Sequence, residues 1–301
     1  METPEAPAAT EGAPTPSMAE SKSPKSQLRR AMEASALVAL WMLIGFAFNL
    51  DGNEYLFIGV PLTVLFQLLV SKSPIRALWV RLAPTFDVRH LKGTAVGVAG
   101  TFALINAFFL VVYLATGYYE VAVYEVFSVV GCIPLAYSLN NVTRETVRPL
   151  LMCFGTAGAI GLGTFIVAYA VNVYTSAAAL VSPGDFLVNA LISFAYYIPA
   201  VFLLEEVSFR GAVDSYLYRP GEGSYKTTAL FTSVLWGLWH LPITYTPGMD
   251  LVGWLSLIGT LVAFQGAVGY FLSVFWRRTG NLFVTSAVHA VADSVRNGFG
   301  G

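Results

Sequence analysis

The strongest constraint on this chain is a series of long apolar runs joined by short polar connections. A helix that crosses a bilayer needs about 20 mostly apolar residues. The runs that reach or approach this length span residues 34–50, 55–70, 93–115, 121–139, 149–174, 186–204, 227–245, 251–276 and 282–295. Backbone polar groups in lipid must be satisfied within the segment, so such runs fold as helices. We therefore expect an all-α, polytopic membrane protein with about nine transmembrane helices.

The composition agrees with a membrane protein. Of the 301 residues, 56% are hydrophobic and 12% are charged, and the mean hydropathy is +0.65. A soluble domain carries about 25% charged residues. The formal net charge is −1 and no basic patch interrupts the apolar runs, which argues against a nucleic-acid partner. Cys132 and Cys153 lie inside apolar runs without metal-binding spacing, so we expect buried free thiols.

Basic residues alternate along the connections between runs. Lys and Arg precede the first run and occupy every second connection, whereas the intervening connections carry Asp or Glu and no Lys or Arg. Cytoplasmic loops of membrane proteins carry an excess of Lys and Arg. The alternation therefore predicts a cytoplasmic N-terminus and an outside C-terminus, in a plasma or inner membrane.

The chain divides into three regions. Residues 1–30 are rich in Pro, Ala, Ser, Thr and Glu and lack aromatic residues, so they are expected to form a disordered cytoplasmic tail. The apolar run that follows Arg29 and Arg30 fits a retained first span better than a cleaved signal peptide. Residues 31–180 are expected to form N-terminal transmembrane helices, and residues 181–301 a catalytic transmembrane region.

Ionisable side chains gather in the second half of the chain, in or beside three predicted spans. Such groups are costly inside a membrane and are therefore candidates for function. Because three helices present them at similar depth, we expect one shared intramembrane cavity. The candidate site residues are Glu205, Glu206, Arg210, His240, His289 and Asp293.

These residue types indicate hydrolytic chemistry. Glu206 and Arg210 are four residues apart and can pair on one helix face. Glu205 is rotated by about 100° from Glu206 on a helix and can face another target. A carboxylate can take a proton from water and return it to a leaving amine. Histidine and Asx side chains can donate to the oxyanion that forms.

Other interpretations of the same residues remain open. Glu205, His240 and His289 could instead hold a zinc ion, although no metal or other cofactor is favoured. Taken singly, Glu206 and Arg210 could be a structural ion pair and His240 a hydrogen-bonded core histidine. His289 and Asp293 alone could be an intrahelical pair that packs two helices.

The three motifs resemble those of the CPBP family, which comprises CAAX proteases and bacteriocin-processing enzymes and is also called the Abi family. Its signature is Glu-Glu-x-x-x-Arg, then Phe-x-x-x-His, then His-x-x-x-Asn or Asp. The resemblance covers about residues 186–297, and the second motif here has Trp in place of Phe. The matching residues are Glu205, Glu206 and Arg210; Trp236 and His240; and His289 and Asp293.

The resemblance implies an intramembrane endopeptidase of packed helices with a cavity open toward the cytoplasm. It implies that Glu205 activates water, and that the histidines and the Asx orient groups or stabilise the oxyanion. The substrate would be a membrane-associated protein or peptide, either prenylated or a bacterial leader. Trp236 is larger than Phe, so the family's cavity shape does not carry over to this chain. Asp293 lacks the amide N–H of Asn, so it could orient His289 instead, or donate only when protonated.

Two further function classes compete with the protease. A catalytically idle scaffold or immunity protein could share the fold, but each motif position keeps a residue type that is competent for catalysis. A transporter could use carboxylates and histidines as proton relays. No repeat relates the two halves of the sequence, and the polar groups cluster in one half, which argues against a transporter.

Overall fold

The computed structural model describes residues 25–81, 91–143, 147–148, 151–152, 155, 159, 182–219 and 224–298. These residues form helices and no β-strand, apart from one isolated bridge between Val80 and Asn281. The predicted all-α class is therefore confirmed. The predicted tail up to residue 24, most of the predicted span at 149–174 and Cys153 lie outside the described residues.

Several helices begin at a capping residue that the sequence supplies. Ser26, Asp51, Ser182 and Asp250 each accept a hydrogen bond from a backbone N–H in the first turn. The helices are α1 (Gln27–Phe48), α2 (Gly52–Leu65) with a π-helical turn (Phe66–Ser71), a 3₁₀ turn (Ile75–Leu78), α3 (Gly93–Thr116), α4 (Tyr119–Asn140), α5 (Pro183–Val201), a π-helical segment (Phe202–Asp214), α6 (Ser215–Leu217), α7 (Tyr225–Trp239), α8 (Leu241–Thr244), α9 (Leu251–Thr279) and α10 (Leu282–Gly298).

Six helical stretches of the described chain are long and apolar enough to cross a membrane. They match six of the predicted spans, so the count of about nine is not confirmed. The predicted span at 282–295 forms α10, which has 17 residues and falls short of the usual length. The six stretches are Gln27–Phe48, Gly52–Ser71, Gly93–Thr116, Val121–Asn140, Gly184–Leu217 and Leu251–Thr279.

The sixth predicted span continues well past its expected end at residue 204. The helix α5, the π-helical segment and α6 follow one another without a break, so Glu205 and Glu206 lie inside the stretch. The helix therefore extends beyond the predicted bound, and the position of the membrane boundary relative to the two glutamates stays a prediction. π-Helical geometry is rare and is frequent at functional sites.

The predicted span at 227–245 is interrupted at its motif histidine. The helix α7 has 15 residues, and His240 is its C-terminal cap. Pro242 lacks an N–H and its ring clashes with the preceding turn, so α7 cannot continue through it. The four-residue α8 follows instead. This break places His240 at the end of a helix rather than within one.

Helix ends that carry basic residues meet at one end of the bundle, which we call the basic end. Lys25, just before α1, donates to the carbonyl of Val70 at 3.1 Å and to the hydroxyl of Tyr216 at 2.8 Å. The backbone N–H of Leu282, at the start of α10, donates to the carbonyl of Trp79 at 2.9 Å. These contacts join the start of α1 to the π-helical turn after α2 and to α6, and the start of α10 to the residue that follows the 3₁₀ turn.

The other helix ends meet at the opposite end of the bundle. There the ring of Tyr245 stacks on that of Trp254 at 4.8 Å, and Phe46 contacts Tyr245 at 6.0 Å. Aromatic residues of this kind are typical of a membrane interface. Helix ends with basic residues and helix ends without them therefore lie at opposite ends of the bundle. Which end faces the cytoplasm stays a prediction.

The exterior of the bundle is apolar, and its main core lies around the π-helical segment. Leu104 and Leu251 are each 74% exposed, as expected for side chains that face lipid. Inside, Phe209 stacks on Trp41 at 6.1 Å and meets the edge of Trp239 at 5.4 Å. This aromatic core holds α1 and α7 against the π-helical segment and so positions the polar residues beside it.

The arrangement of the helix ends predicts which loops are accessible from outside. In a protein with Cys132 and Cys153 replaced by Ala, we expect Thr246→Cys to react with a membrane-impermeant thiol reagent in intact cells. Lys226→Cys should react only after the cells are opened, because its exposed side chain lies at the basic end. Labelling of both positions in intact cells would contradict the predicted topology.

Candidate active site

Glu206 is a carboxylate sealed inside the bundle. Its side chain is fully buried, and its Oε1 accepts hydrogen bonds from Arg210 Nη1 and from His289 Nδ1, both at 3.0 Å. The pairing of Glu206 with Arg210, predicted from their spacing, is confirmed. A buried charge is tolerated when it is paired and hydrogen-bonded in this way.

Arg210 is held on several sides. Its guanidinium lies 4.6 Å from the centre of the Trp236 ring, and its Nη2 donates to the carbonyl of Gly269 at 3.3 Å. A Cβ at Gly269 would lie 2.9 Å from Cε3 of Trp236, so a larger residue would force the side chain to move. The helices α7 and α9 thus supply a cation–π contact and an acceptor for this cation.

His289 lies between two carboxylates. Its Nδ1 donates to Glu206, and its Nε2 is 3.6 Å from Oδ2 of Asp293, one turn further along α10. That distance is longer than a hydrogen bond but short enough for electrostatic attraction. Glu206 and Asp293 therefore both act on the ring, and the direct hydrogen bond that fixes the ring is the one that His289 donates to Glu206.

Glu205 occupies a different environment from its neighbour. It is partly exposed, whereas Glu206 is fully buried. Its Oε2 accepts a hydrogen bond from the indole Nε1 of Trp236 at 3.2 Å. The expectation that the two glutamates face different targets is therefore confirmed, although the segment is π-helical.

Trp236 lies at the centre of these groups, and the sequence reasoning noted only its size. It is 1% exposed. Its ring meets the ring of His240 at 5.1 Å and that of His289 at 5.3 Å, both edge to face. A buried indole N–H usually finds a partner, and this rule was the signal in the sequence that pointed to a polar contact.

His240 contacts the other candidate residues by way of Trp236, whose backbone carbonyl and ring it touches. Its Nδ1 lies 2.8 Å from the carbonyl of Trp236, and a carbonyl can only accept, so Nδ1 carries the hydrogen. The side chain thereby satisfies one of the backbone carbonyls that the end of α7 leaves unpaired. It acts on other groups through Nε2, which donates only in the imidazolium form. The expected oxyanion role therefore requires a protonated His240.

The arrangement does not form a zinc site as it stands. Within the described part of the chain, no three His, Cys, Asp or Glu side chains are grouped so as to hold a metal ion. The Nδ1 bond of His240 to a carbonyl is typical of zinc ligands. However, the two ring nitrogens of His289 face Glu206 and Asp293. The zinc set of Glu205, His240 and His289 thus remains an alternative that only experiment can test.

A second buried ion pair lies nearer the basic end. Arg277 Nε donates to Oδ2 of Asp214 at 2.9 Å, and both side chains are fully buried. Thr232 adds a hydrogen bond to Asp214 at 3.1 Å. The sequence reasoning treated Arg277 as a loop residue, but it ties the end of the π-helical segment to α7 and α9.

Glu125 is a buried carboxylate that the sequence reasoning did not single out. It lies in α4 and is fully buried, and in the described structure neither carboxyl oxygen has a hydrogen-bond partner. An acidic residue inside a predicted span was the available signal. It lies apart from the six candidate residues in sequence and on a different helix.

A cavity lies between α3, α5 and α10, one helical turn beyond Asp293. Its volume is about 200 Å³. None of the six candidate residues lines it, so the cavity predicted to be shared by their ionisable side chains stays a prediction. The lining residues are Phe109, Tyr113, Ile192, Ser193, Tyr196, Tyr197 and Asn297.

Comparison with known families settles which family this region resembles. Residues 187–295 match the family described as type II CAAX prenyl endopeptidase Rce1-like. This segment is an Rce1-like domain. It runs from α5 to α10 and contains all six candidate residues, and the resemblance to CPBP intramembrane proteases is confirmed. No curated protein and no solved structure matches the chain.

The family and the fold together define a broad class. The Rce1-like family is one of CAAX prenyl endopeptidases, which are proteases and therefore hydrolases. The apolar helices make the chain an integral membrane protein. The Rce1-like domain lies inside the region predicted to be catalytic, residues 181–301.

The sealed ion pair predicts strong coupling between Glu206 and Arg210. Breaking a buried pair by removing one partner costs about 3–5 kcal/mol, because the other charge is left uncompensated. Arg210→Ala should therefore lower the thermal unfolding midpoint in detergent. Adding Glu206→Gln should restore part of the loss, because the uncompensated charge is removed.

Glu125→Gln is the matched control for this cycle. It makes the same chemical change at a buried carboxylate that has no hydrogen-bond partner in the described structure. Its unfolding midpoint should stay unchanged or rise, because burying an unpaired carboxylate is unfavourable. Strictly additive effects of Arg210→Ala and Glu206→Gln would contradict the role assigned to the pair.

Proposed function

We propose that this chain is an intramembrane endopeptidase that cleaves a membrane-associated protein or peptide with water activated by Glu205. The observation that carries the proposal is the contrast between the two adjacent glutamates. Glu205 is partly exposed, while Glu206 is sealed by Arg210 and His289. A general base must come within hydrogen-bond reach of the water proton that it takes, and of the two glutamates only Glu205 is partly exposed.

The reaction follows from the positions of these groups. Glu205 takes a proton from water as the water oxygen forms a bond to the scissile carbonyl carbon. The carbonyl oxygen becomes an oxyanion, and the imidazolium form of His240 donates to it through Nε2. The carbon–nitrogen bond then breaks, and Glu205 returns the proton to the leaving amine. The products are one carboxylate and one amine.

The other candidate residues hold this arrangement in place. Arg210 and His289 fix Glu206, and Asp293 lies beside the second nitrogen of His289. The resulting unit joins the π-helical segment to α10. We assign Glu206, Arg210 and Asp293 to orienting His289 and the wall of the site, with His289 near the developing oxyanion.

The proposed substrate class comes from the family description. A CAAX prenyl endopeptidase acts on a lipid-modified peptide, and the apolar exterior of this chain would bring it into the bilayer beside such a substrate. A bacterial membrane or leader peptide is the other candidate. In either case the N-terminus would be cytoplasmic and the membrane a plasma or inner membrane.

Replacement of Glu205 tests the proposed chemistry. Glu205→Gln keeps the size and hydrogen bonding of the side chain but removes its capacity to accept a proton. Cleavage of a prenylated CAAX peptide in proteoliposomes, followed by mass spectrometry, should fall by about 10²–10⁴-fold. Glu125→Gln should cleave at the wild-type rate. Wild-type activity in Glu205→Gln would remove Glu205 from the base role.

Metal removal tests the alternative mechanism. In the proposed mechanism, chelator treatment of the purified protein leaves cleavage unchanged. A zinc enzyme would contain about one zinc per chain, lose activity to a chelator and regain it with added zinc. That result would overturn the glutamate mechanism and leave the protease assignment in place.

A further inference from the structure

We propose that Trp236 is a positioning residue that aims the carboxylate of Glu205 by donating its indole N–H. The inference rests on the proposed role of Glu205 as the base. It gives this chain a device that a phenylalanine, the residue in the Phe-x-x-x-His motif that it resembles, cannot supply. The reason is that a phenyl ring has no hydrogen-bond donor.

The indole of Trp236 is held in one orientation. The guanidinium of Arg210 lies over its ring at 4.6 Å, and the rings of His240 and His289 meet it edge to face. The backbone of Gly269 closes the remaining side, since a Cβ there would lie 2.9 Å from the indole. The direction of the N–H is therefore set by packing and not by Glu205.

The bond from Trp236 acts on one oxygen of Glu205. The indole Nε1 is a donor only, and it lies 3.2 Å from Oε2. With Oε2 held, rotation of the carboxylate is restricted, and Oε1 is the oxygen left to accept the proton from water.

Other charged or titratable groups also act on Glu205, so the effect of Trp236 has to be separated from theirs. The groups on neighbouring elements are Glu206 and Arg210 in the π-helical segment, His289 and Asp293 on α10, Tyr124 on α4 and His240 at the end of α7. A substitution that removes the indole N–H and leaves all of these in place isolates its contribution.

Trp239 provides the matched control. It lies three residues further along α7, is fully buried and meets His240 edge to face at 4.9 Å. Its indole Nε1 has no hydrogen-bond partner in the described structure. Trp→Phe therefore removes the same atoms at both positions but breaks a hydrogen bond only at Trp236.

The first experiment compares Trp236→Phe with Trp239→Phe on the prenylated CAAX peptide. For Trp236→Phe we expect kcat to fall by about 10-fold or more with KM near wild type, because a misplaced base impairs the chemical step. Trp239→Phe removes the same atoms without breaking a hydrogen bond, so it should lose much less of kcat than Trp236→Phe does.

A shape-conserving variant guards against a folding defect. Benzothienylalanine at position 236 keeps the two fused rings and replaces the N–H by sulfur. It should reproduce the loss of kcat while its unfolding midpoint stays at the wild-type value. Wild-type kinetics in this variant would overturn the inference, whatever happens in Trp236→Phe.

A readout that is independent of activity separates this inference from the proposed function. In protein labelled with ¹⁵N-tryptophan, Glu205→Gln should move the indole N–H resonance of Trp236 and leave that of Trp239 in place. The reason is that a neutral amide is a weaker acceptor than a carboxylate. An unmoved Trp236 resonance overturns the inference, whereas a moved resonance in a protein that cleaves nothing would overturn only the proposed function.

Discussion

The fully buried ion pair of Glu206 and Arg210 determines how the second half of the chain packs. Two ions removed from water carry a desolvation cost of several kcal/mol each, and the cost is offset only when hydrogen bonds satisfy them. Here His289 supplies one of the hydrogen bonds to Glu206, and the carbonyl of Gly269 and the ring of Trp236 supply contacts to Arg210. The helices α7, α9 and α10 must therefore all approach the π-helical segment, and the site is a consequence of that requirement.

The features that depend on spacing along the chain could be predicted from the sequence. Apolar runs and alternating charges located most helices and sorted their ends, and the four-residue spacing identified the pairing of Glu206 with Arg210. Features that depend on partners from other helices could not. Hydropathy ends the predicted run before Glu205, because it counts each glutamate as unfavourable in the membrane. It takes no account of Arg210 and His289, which bind the buried carboxylate of Glu206. The motif recorded Trp236 as a large ring, but the direction of its N–H is set by packing.

The histidines show how backbone structure constrains the chemistry of the site. His240 closes the end of α7 with its Nδ1, so the tautomer of the ring is tied to the termination of a helix. The helix ends there because Pro242 cannot continue it, although the run at 227–245 was predicted as one uninterrupted span. His289 is instead fixed by a side chain, Glu206. His240 is thus held by a backbone carbonyl and His289 by a side chain. Substitution of Glu206 would release His289 and leave the bond of His240 in place.

The π-helical segment is anchored at more than one level. Glu206 and Arg210 hold it near its middle, Asp214 and Arg277 hold its end, and a Cβ on Gly211 would collide with the carbonyl of Leu78. A helix pinned in this way has no room to slide along its axis. The molecule therefore has a stiff wall that bears the glutamates. Of the helices that line the cavity, α5 continues directly into this segment and α10 is tied to it by His289, so α3, with Phe109 and Tyr113, is the wall left to move.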